Sequence, residues 1–221
     1  MPAEIFAVSA RRSVQRGETR DSVDRRWWRF FAELTPNAVC FGAPNEPRMA
    51  ERLLRTVPVT ALILTGGDDL GSDPDRDAAE ERLFHSAVAC GVPIVGICRG
   101  LQLIQTIFGG PLERCDPDRH CGTPHEVGPT NASHDFADIL RAMENVNSYH
   151  RNGVAASQIA QPLTPLLVAY DGIVEAAYAP QPRVLALQWH PERYSKARDT
   201  DLAIFERFLG FDRTARRQVN A

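Results

Sequence analysis

Lysine is nearly missing from this chain of 221 residues: Lys196 stands alone against 24 arginines. A skew in codon usage accounts for that substitution, and it points to no function. An excess of positive charge is lacking as well. The net charge is −3, so no bulk basic field points to nucleic acid. No apolar run approaches the ~18 residues of a membrane span, which argues against a membrane protein. The opening MPAEIFAVSARR has no long apolar segment of the secretory kind. The five cysteines, Cys40, Cys90, Cys98, Cys115 and Cys121, form an odd set without such a segment. That combination predicts reduced thiols and a cytoplasmic protein. Repeats and low-complexity linkers are also absent. The 43% hydrophobic content suffices for one buried core, so a single domain over 1–221 is expected, with the polar residues 212–221 frayed.

What is present alternates between two periods. Apolar runs at Ile5–Ser9, Ala38–Phe41, Ala61–Thr65 and Ile94–Ile97 read as buried strands. Helical patterns lie between and after them, at Ser22–Leu34, Arg48–Thr56, Arg76–Cys90 and about Gly100–Phe108, where Gly109-Gly110 stops the last. Alternation of this kind predicts an α/β fold with a parallel sheet covered on both faces. The second half is built differently. A short helix at about His134–Met143 precedes strands at Glu144–Ser148, Leu166–Ala169, Ile173–Tyr178 and Val184–Gln188, with a turn signal at Asp171-Gly172. These predict an antiparallel extension, and a helix at about Asp199–Leu209 closes the chain. Ligands in such open sheets bind beyond the carboxyl ends of the parallel strands.

The segment PIVGICRGLQLI (93–104) places a thiol at such an end. Gly96-x-Cys98-x-Gly100 is the thiol counterpart of a nucleophile elbow, in which small neighbours permit a sharp turn from strand to helix. The helix N-terminus favours thiolate, the nucleophilic form. A nucleophile needs a base, and a base needs an orienting group. His190 follows the strand at Val184–Gln188, and Glu192 comes two residues later, across Pro191. The carboxylate can hold one ring nitrogen and leave the other facing the thiol. Acyl transfer also needs donors for an oxyanion. Gly66-Gly67, at the end of another strand, and the N–H of Arg99 are the candidates.

The order LTGGDDL, GICRGLQ, QWHPE resembles the class I glutamine amidotransferases, whose fold is a flavodoxin-like three-layer open sheet. The resemblance covers nearly the whole chain. It implies a Cys98–His190–Glu192 triad, an oxyanion hole shaped by Gly66, Gly67 and Arg99, and Gln102 holding the α-groups of a γ-glutamyl moiety. It implies no cofactor. The GGDDL, NSYHRNGV and DGIVEA segments are similar to the γ-glutamyl hydrolase (peptidase C26-like) branch, which cuts γ-glutamyl amides without a synthetase partner. That likeness sets Asn147, Ser148 and His150 beside the glutamyl pocket. The branch carries a second histidine where this chain has Arg151.

The leaving group is less defined. Residues 11–29 hold seven arginines and three acids, and the segment follows the first strand. Arg11 and Arg12 are candidates for phosphate contacts, since a guanidinium grips phosphate bidentately. Trp27 or Trp28 could stack on a base, although a solvated helix that turns its tryptophans to the core explains them better. With GTPHEV and NSYH, the segment is similar to the branch members that release cytidine diphosphoramidate from γ-glutamyl-CDP-amidate for capsular polysaccharide modification. A catabolic hydrolase of γ-glutamyl-γ-aminobutyrate or γ-glutamyl-polyamines is the alternative, and a regulatory glutaminase-like subunit is a second. Cys115, His120, Cys121 and His125 lie close in sequence, but C-x4-H-C-x3-H is not a usual zinc spacing. No metal is expected, and the stretch reads as a loop with scattered polar residues.

Overall fold

The computed structural model describes residues 3–131, 135–193 and 198–211. The expected tail at 212–221 lies outside the described residues. In chain order the strands are β1 (Glu4–Ser9), β2 (Arg11–Gln15), β3 (Glu18–Ser22), β4 (Ala38–Ala43), β5 (Ala61–Leu64), β6 (Ile94–Ile97), β7 (Glu113–Arg114), β8 (His125–Pro129), β9 (Asn145–Val146), β10 (Asn152–Gly153), β11 (Thr164–Ala169), β12 (Val174–Ala179) and β13 (Val184–Leu187). The helices are α1 (Arg25–Leu34), α2 (Pro47–Thr56), α3 (Pro74–Cys90), α4 (Arg99–Ile107), α5 (Pro117–His120), α6 (Ala137–Leu140) and α7 (Arg198–Leu209).

Nine strands form one sheet in the order β4-β1-β5-β6-β13-β12-β11-β8-β9. The first five are mutually parallel. Counted along the chain, their spatial order is 2-1-3-4-5, the flavodoxin-like doubly wound arrangement. The last four pair antiparallel. Every residue of β5, β6 and β13 is buried, as expected of strands covered on both faces. Their side chains alternate between two layers. Phe6, Val8 and Ile63 join Phe30, Phe31 and Phe205 of α1 and α7 on one face. Ala7, Leu62 and Leu64 meet Leu83, Phe84 and Ile104 of α3 and α4 on the other. The Phe6 and Phe31 rings stack with centroids 4.6 Å apart, a packing worth about 0.5–1.5 kcal/mol beyond area burial.

Residues 11–22, for which no strand was expected and whose last residue was expected to open a helix, are extended. They form a two-stranded antiparallel hairpin, β2–β3, that projects from the carboxyl end of β1. Its turn uses Arg16 and Gly17, both at positive φ. The helix begins only at Arg25, where Asp24 accepts a hydrogen bond from the Arg26 N–H as its N-cap. Two further corrections concern the second half. The 115–125 stretch, expected as a loop, contains α5 and ends on the first residue of β8, and the helix before β9 is a single turn, Ala137–Leu140, among the described residues.

Candidate active site

Cys98 sits between the end of β6 and the start of α4 with φ 53 and ψ −101, a conformation that side-chain-bearing residues rarely adopt. Its N–H donates to the Leu187 carbonyl at 2.7 Å, which pins the elbow to β13. The flanking glycines are a steric requirement. A Cβ on Gly96 would lie 2.8 Å from the Gly100 carbonyl, and one on Gly100 would lie 2.3 Å from the Leu64 carbonyl oxygen.

His190 follows β13 and turns its ring toward the elbow. Nδ1 lies 2.7 Å from Glu192 Oε1, and the ring hydrogen-bonds Cys98 on its other side. All three side chains are buried. Burial pulls the His190 pKa down, but the hydrogen bonds to Cys98 and Glu192 outweigh it and raise the value to about 9. The imidazolium is therefore the favoured form near neutral pH. Asn147 fixes the backbone here: its side-chain N–H donates to the His190 carbonyl at 2.9 Å, and its oxygen accepts from the His190 N–H at 3.0 Å. The amide is thus spent on the histidine and not aimed at a ligand.

Gly66 closes against this row. A Cβ there would stand 2.6 Å from His190 Cε1 and 3.5 Å from Cys98 Cβ. The glycine loop is anchored from behind by a buried network that sequence reasoning missed. Arg76 donates to the Gly66 carbonyl at 3.0 Å and to Glu80 at 3.0 Å. The Arg99 guanidinium pairs with Glu80 and Asp77, so Arg99 offers the site its backbone N–H and not its charge. The signal available was the i, i+4 spacing of Arg76 and Glu80 on α3.

Two clefts meet at Cys98. One, of about 470 Å³, is bordered by Gly67, Asp69, Gln102, Tyr149 and Arg151. The other, of about 420 Å³, is bordered by Arg11, Ser22, Trp27, Tyr149, His190 and Arg193. The Arg193 guanidinium lies 3.9 Å over the Tyr149 ring. Trp27 packs in the core against Phe31 and presents an edge to the second cleft, whereas Trp28 is 37% exposed.

Other expected residues are engaged within the protein. Gln102 donates to the Asn152 carbonyl at 2.7 Å, and Ser148 donates to the His120 carbonyl at 2.7 Å. His150 borders the first cleft, but its ring nitrogens face Asn152 and His120. Arg11 pairs with Asp68 at 2.5 Å, and Arg12 pairs with Asp73 at 2.8 Å and with Asp75. The stretch around His120 is not a loop of scattered polar groups. His120 and His125 meet His150 and Glu175 in a tight cluster behind the first cleft. Cys121 stands aside, its thiol donating to the His150 carbonyl. No described helix is long and apolar enough to cross a membrane.

The parallel sheet, the elbow and the glycine loop are those of a class I glutamine amidotransferase fold. The chain belongs to the Peptidase C26 family, which it matches over residues 6–192. The glutamine amidotransferase-like protein YvdE of Lactococcus lactis is 33% identical over 174 residues, 68% of this chain and 73% of that one. The gamma-glutamyl-gamma-aminobutyrate hydrolase PuuD of Escherichia coli is 31% identical over 162 residues, 65% of this chain and 63% of that protein's length. A glutamine amidotransferase structure from Thermotoga maritima superposes with a TM-score of 0.66 at 15% identity, over 95% of this chain and 85% of that one.

Proposed function

We propose that this protein is a cysteine-dependent hydrolase of γ-glutamyl amides. The observation that carries this reading is the hydrogen-bonded row Cys98–His190–Glu192 at the meeting of two clefts. The Cys98 sulfur attacks the γ-carbonyl carbon. The N–H groups of Arg99 and Gly67 receive the developing oxyanion. The His190 imidazolium gives its proton to the leaving nitrogen as the C–N bond breaks, and a γ-glutamyl thioester remains. Water then attacks the thioester, His190 takes its proton, and glutamate leaves. The first cleft holds the glutamyl group, with Asp69 and Arg151 supplying opposite charges for its α-ammonium and α-carboxylate. The second receives the leaving group and needs no synthetase.

The leaving group we favour is anionic, because Arg11 and Arg193 border the second cleft. A phosphorylated one such as CDP-amidate fits the arginine-rich hairpin. γ-Glutamyl-γ-aminobutyrate, whose leaving amine carries a carboxylate, is the second reading, favoured by the likeness to PuuD. The experiment is glutamate release from a panel: γ-glutamyl-CDP-amidate, γ-glutamyl-γ-aminobutyrate, a γ-glutamyl-polyamine and a neutral γ-glutamyl amide, with Cys98→Ala as control. The two anionic substrates should be preferred over the neutral and cationic ones. Turnover that persists in Cys98→Ala overturns the thiol mechanism, and preference for the polyamine overturns the anionic cleft.

A further inference from the structure

Behind the first cleft lies a constellation that hydrolysis does not use. His120 ends α5, His125 begins β8, His150 lies between β9 and β10, and Glu175 belongs to β12 of the main sheet. Glu175 is 0% exposed, His120 1% and His150 3%. Glu175 Oε1 lies 3.0 Å from His125 Nε2, 3.4 Å from His150 Nε2 and 4.0 Å from His120 Nδ1. His120 Nδ1 and His150 Nε2 are 3.2 Å apart.

The outer nitrogen of each ring already faces an acceptor. His120 Nε2 lies 2.8 Å from Asp171 Oδ2, His125 Nδ1 lies 3.3 Å from the Arg119 carbonyl, and His150 Nδ1 lies 3.1 Å from the Asn152 carbonyl. Carbonyls and carboxylates only accept, so the ring hydrogens sit on these outer nitrogens. In neutral imidazoles the inner nitrogens are then bare lone pairs, and they point at a carboxylate and at one another. Glu175 Oε2 also has no hydrogen-bond partner among the described residues. A buried gathering of acceptors is costly until protons or a metal ion join it, and one metal ion can serve all the inner nitrogens and Glu175 at once.

We propose that His120, His150 and Glu175, with His125 as fourth ligand, bind one zinc ion. Tetrahedral zinc with nitrogen and oxygen ligands at about 2.0–2.1 Å sets its ligand atoms about 3.3–3.4 Å apart, and the separations here run from 3.0 to 4.0 Å. Three imidazoles with one carboxylate suit zinc, whereas calcium and magnesium take oxygen ligands. A second partner on the far nitrogen of each histidine is the usual support of a metal ligand. One divalent ion also balances the charges of Glu175 and Asp171. The Cys115 thiol lies within 4.8 Å of ligand atoms on His120 and His150 and offers a further donor on that side. The ion ties α5 and the β9–β10 connection to β8 and β12 of the sheet and so stiffens the wall of the cleft; it takes no part in the thiol chemistry.

The test uses the whole protein, purified without chelator. Elemental analysis should find about one zinc per chain, four ligands being a complete structural set. Stripping the metal should lower the melting temperature, and zinc should restore it. Cobalt should replace zinc and give the intense visible absorption of a tetrahedral site. Glu175→Gln and His125→Gln should lose the ion, whereas Cys98→Ala should keep it. Asp171→Asn spares all four ligands and should weaken affinity about 10–100-fold. Wild-type protein that stays folded after stripping and takes up neither zinc nor cobalt at micromolar concentration overturns the proposal, whatever the variants do. So does wild-type zinc affinity in Glu175→Gln.

Discussion

Gly66→Ala isolates the geometry of the proposed catalytic row from the chemistry of its members. Gly66 does not occupy the left-handed region, so alanine meets no backbone penalty there. Its new methyl would lie 2.6 Å from His190 Cε1 and 3.3 Å from Nε2, whereas ordinary contact begins at 3.4 Å. The ring must retreat by roughly 0.8 Å, and a misplacement near 1 Å costs about a hundredfold in rate. At 1.36 kcal/mol per decade that is about 2.7 kcal/mol of transition-state stabilisation. Overpacking should cost about 1–3 kcal/mol of stability, so the protein should still fold. The assay is kcat/KM for glutamate release, with the rate of Cys98 alkylation by iodoacetamide as a second readout. Both should fall while the melting temperature drops only modestly. Gly128→Ala is the control, because a Cβ there meets open space. A Gly66→Ala enzyme within threefold of wild type on both readouts would refute the proposed role of His190.

His190→Ala should lower kcat more than Glu192→Gln, because the histidine moves the proton while the carboxylate orients it; wild-type rates in both would dismiss the row. The His190 pKa of about 9 lies above its ordinary 6.5, so its contribution to stability is complete below about pH 6.5 and is lost as pH rises through about 9. Activity that needs the imidazolium should fall over the same alkaline range, and Glu192→Gln should move that limb to lower pH; an unmoved limb in a pH–kcat profile would reassign it. Gly100→Ala sets a Cβ 2.3 Å from the Leu64 carbonyl oxygen, which cannot yield. It should cost about 3 kcal/mol, read as a fall of about 6–12 °C in melting temperature.

The parallel half of the fold was legible because strands buried on both faces must be apolar at every position. The runs ALIL, IVGI and VLAL could not hide. The β2–β3 hairpin was not legible. Its apolar content is a single valine, Val14, and its charges answer to Asp68, Asp73 and Asp75 far along the chain. The candidate row could be read because its members carry local signatures, two glycines around Cys98 and a single proline between His190 and Glu192. The NSYHRNGV likeness sets Asn147 beside the glutamyl pocket, but nothing in its neighbours shows that it holds His190 from 43 residues away. The histidine cluster was not legible for the same reason. His120 and His125 are near in sequence, while His150 and Glu175 arrive from other elements.

The structure also separates two arginines that the sequence treats alike. Adjacent residues of a strand point to opposite sides, so Arg11 and Arg12 cannot serve one ligand from the same strand. Arg11 borders the cleft with Cys98 and pairs with Asp68, both side chains being 55% exposed. Such a surface pair holds its partners by about 0–1 kcal/mol. A phosphate or carboxylate delivered by the substrate can displace it, because a charge-assisted hydrogen bond is worth about 1.5–3 kcal/mol. Arg12 is instead held between Asp73, the N-cap of α3, and Asp75. Its pairing fastens the hairpin to the helix and leaves no site for a ligand. Arg11→Ala should therefore lower kcat/KM about tenfold or more on an anionic leaving group and hardly change it on a neutral amide. Arg12→Ala should act alike on both substrates, through the position of the hairpin. The comparison needs only the two variants and the two substrates. Equal losses for Arg11→Ala on charged and neutral substrates would show that the second cleft does not select its leaving group by charge at Arg11.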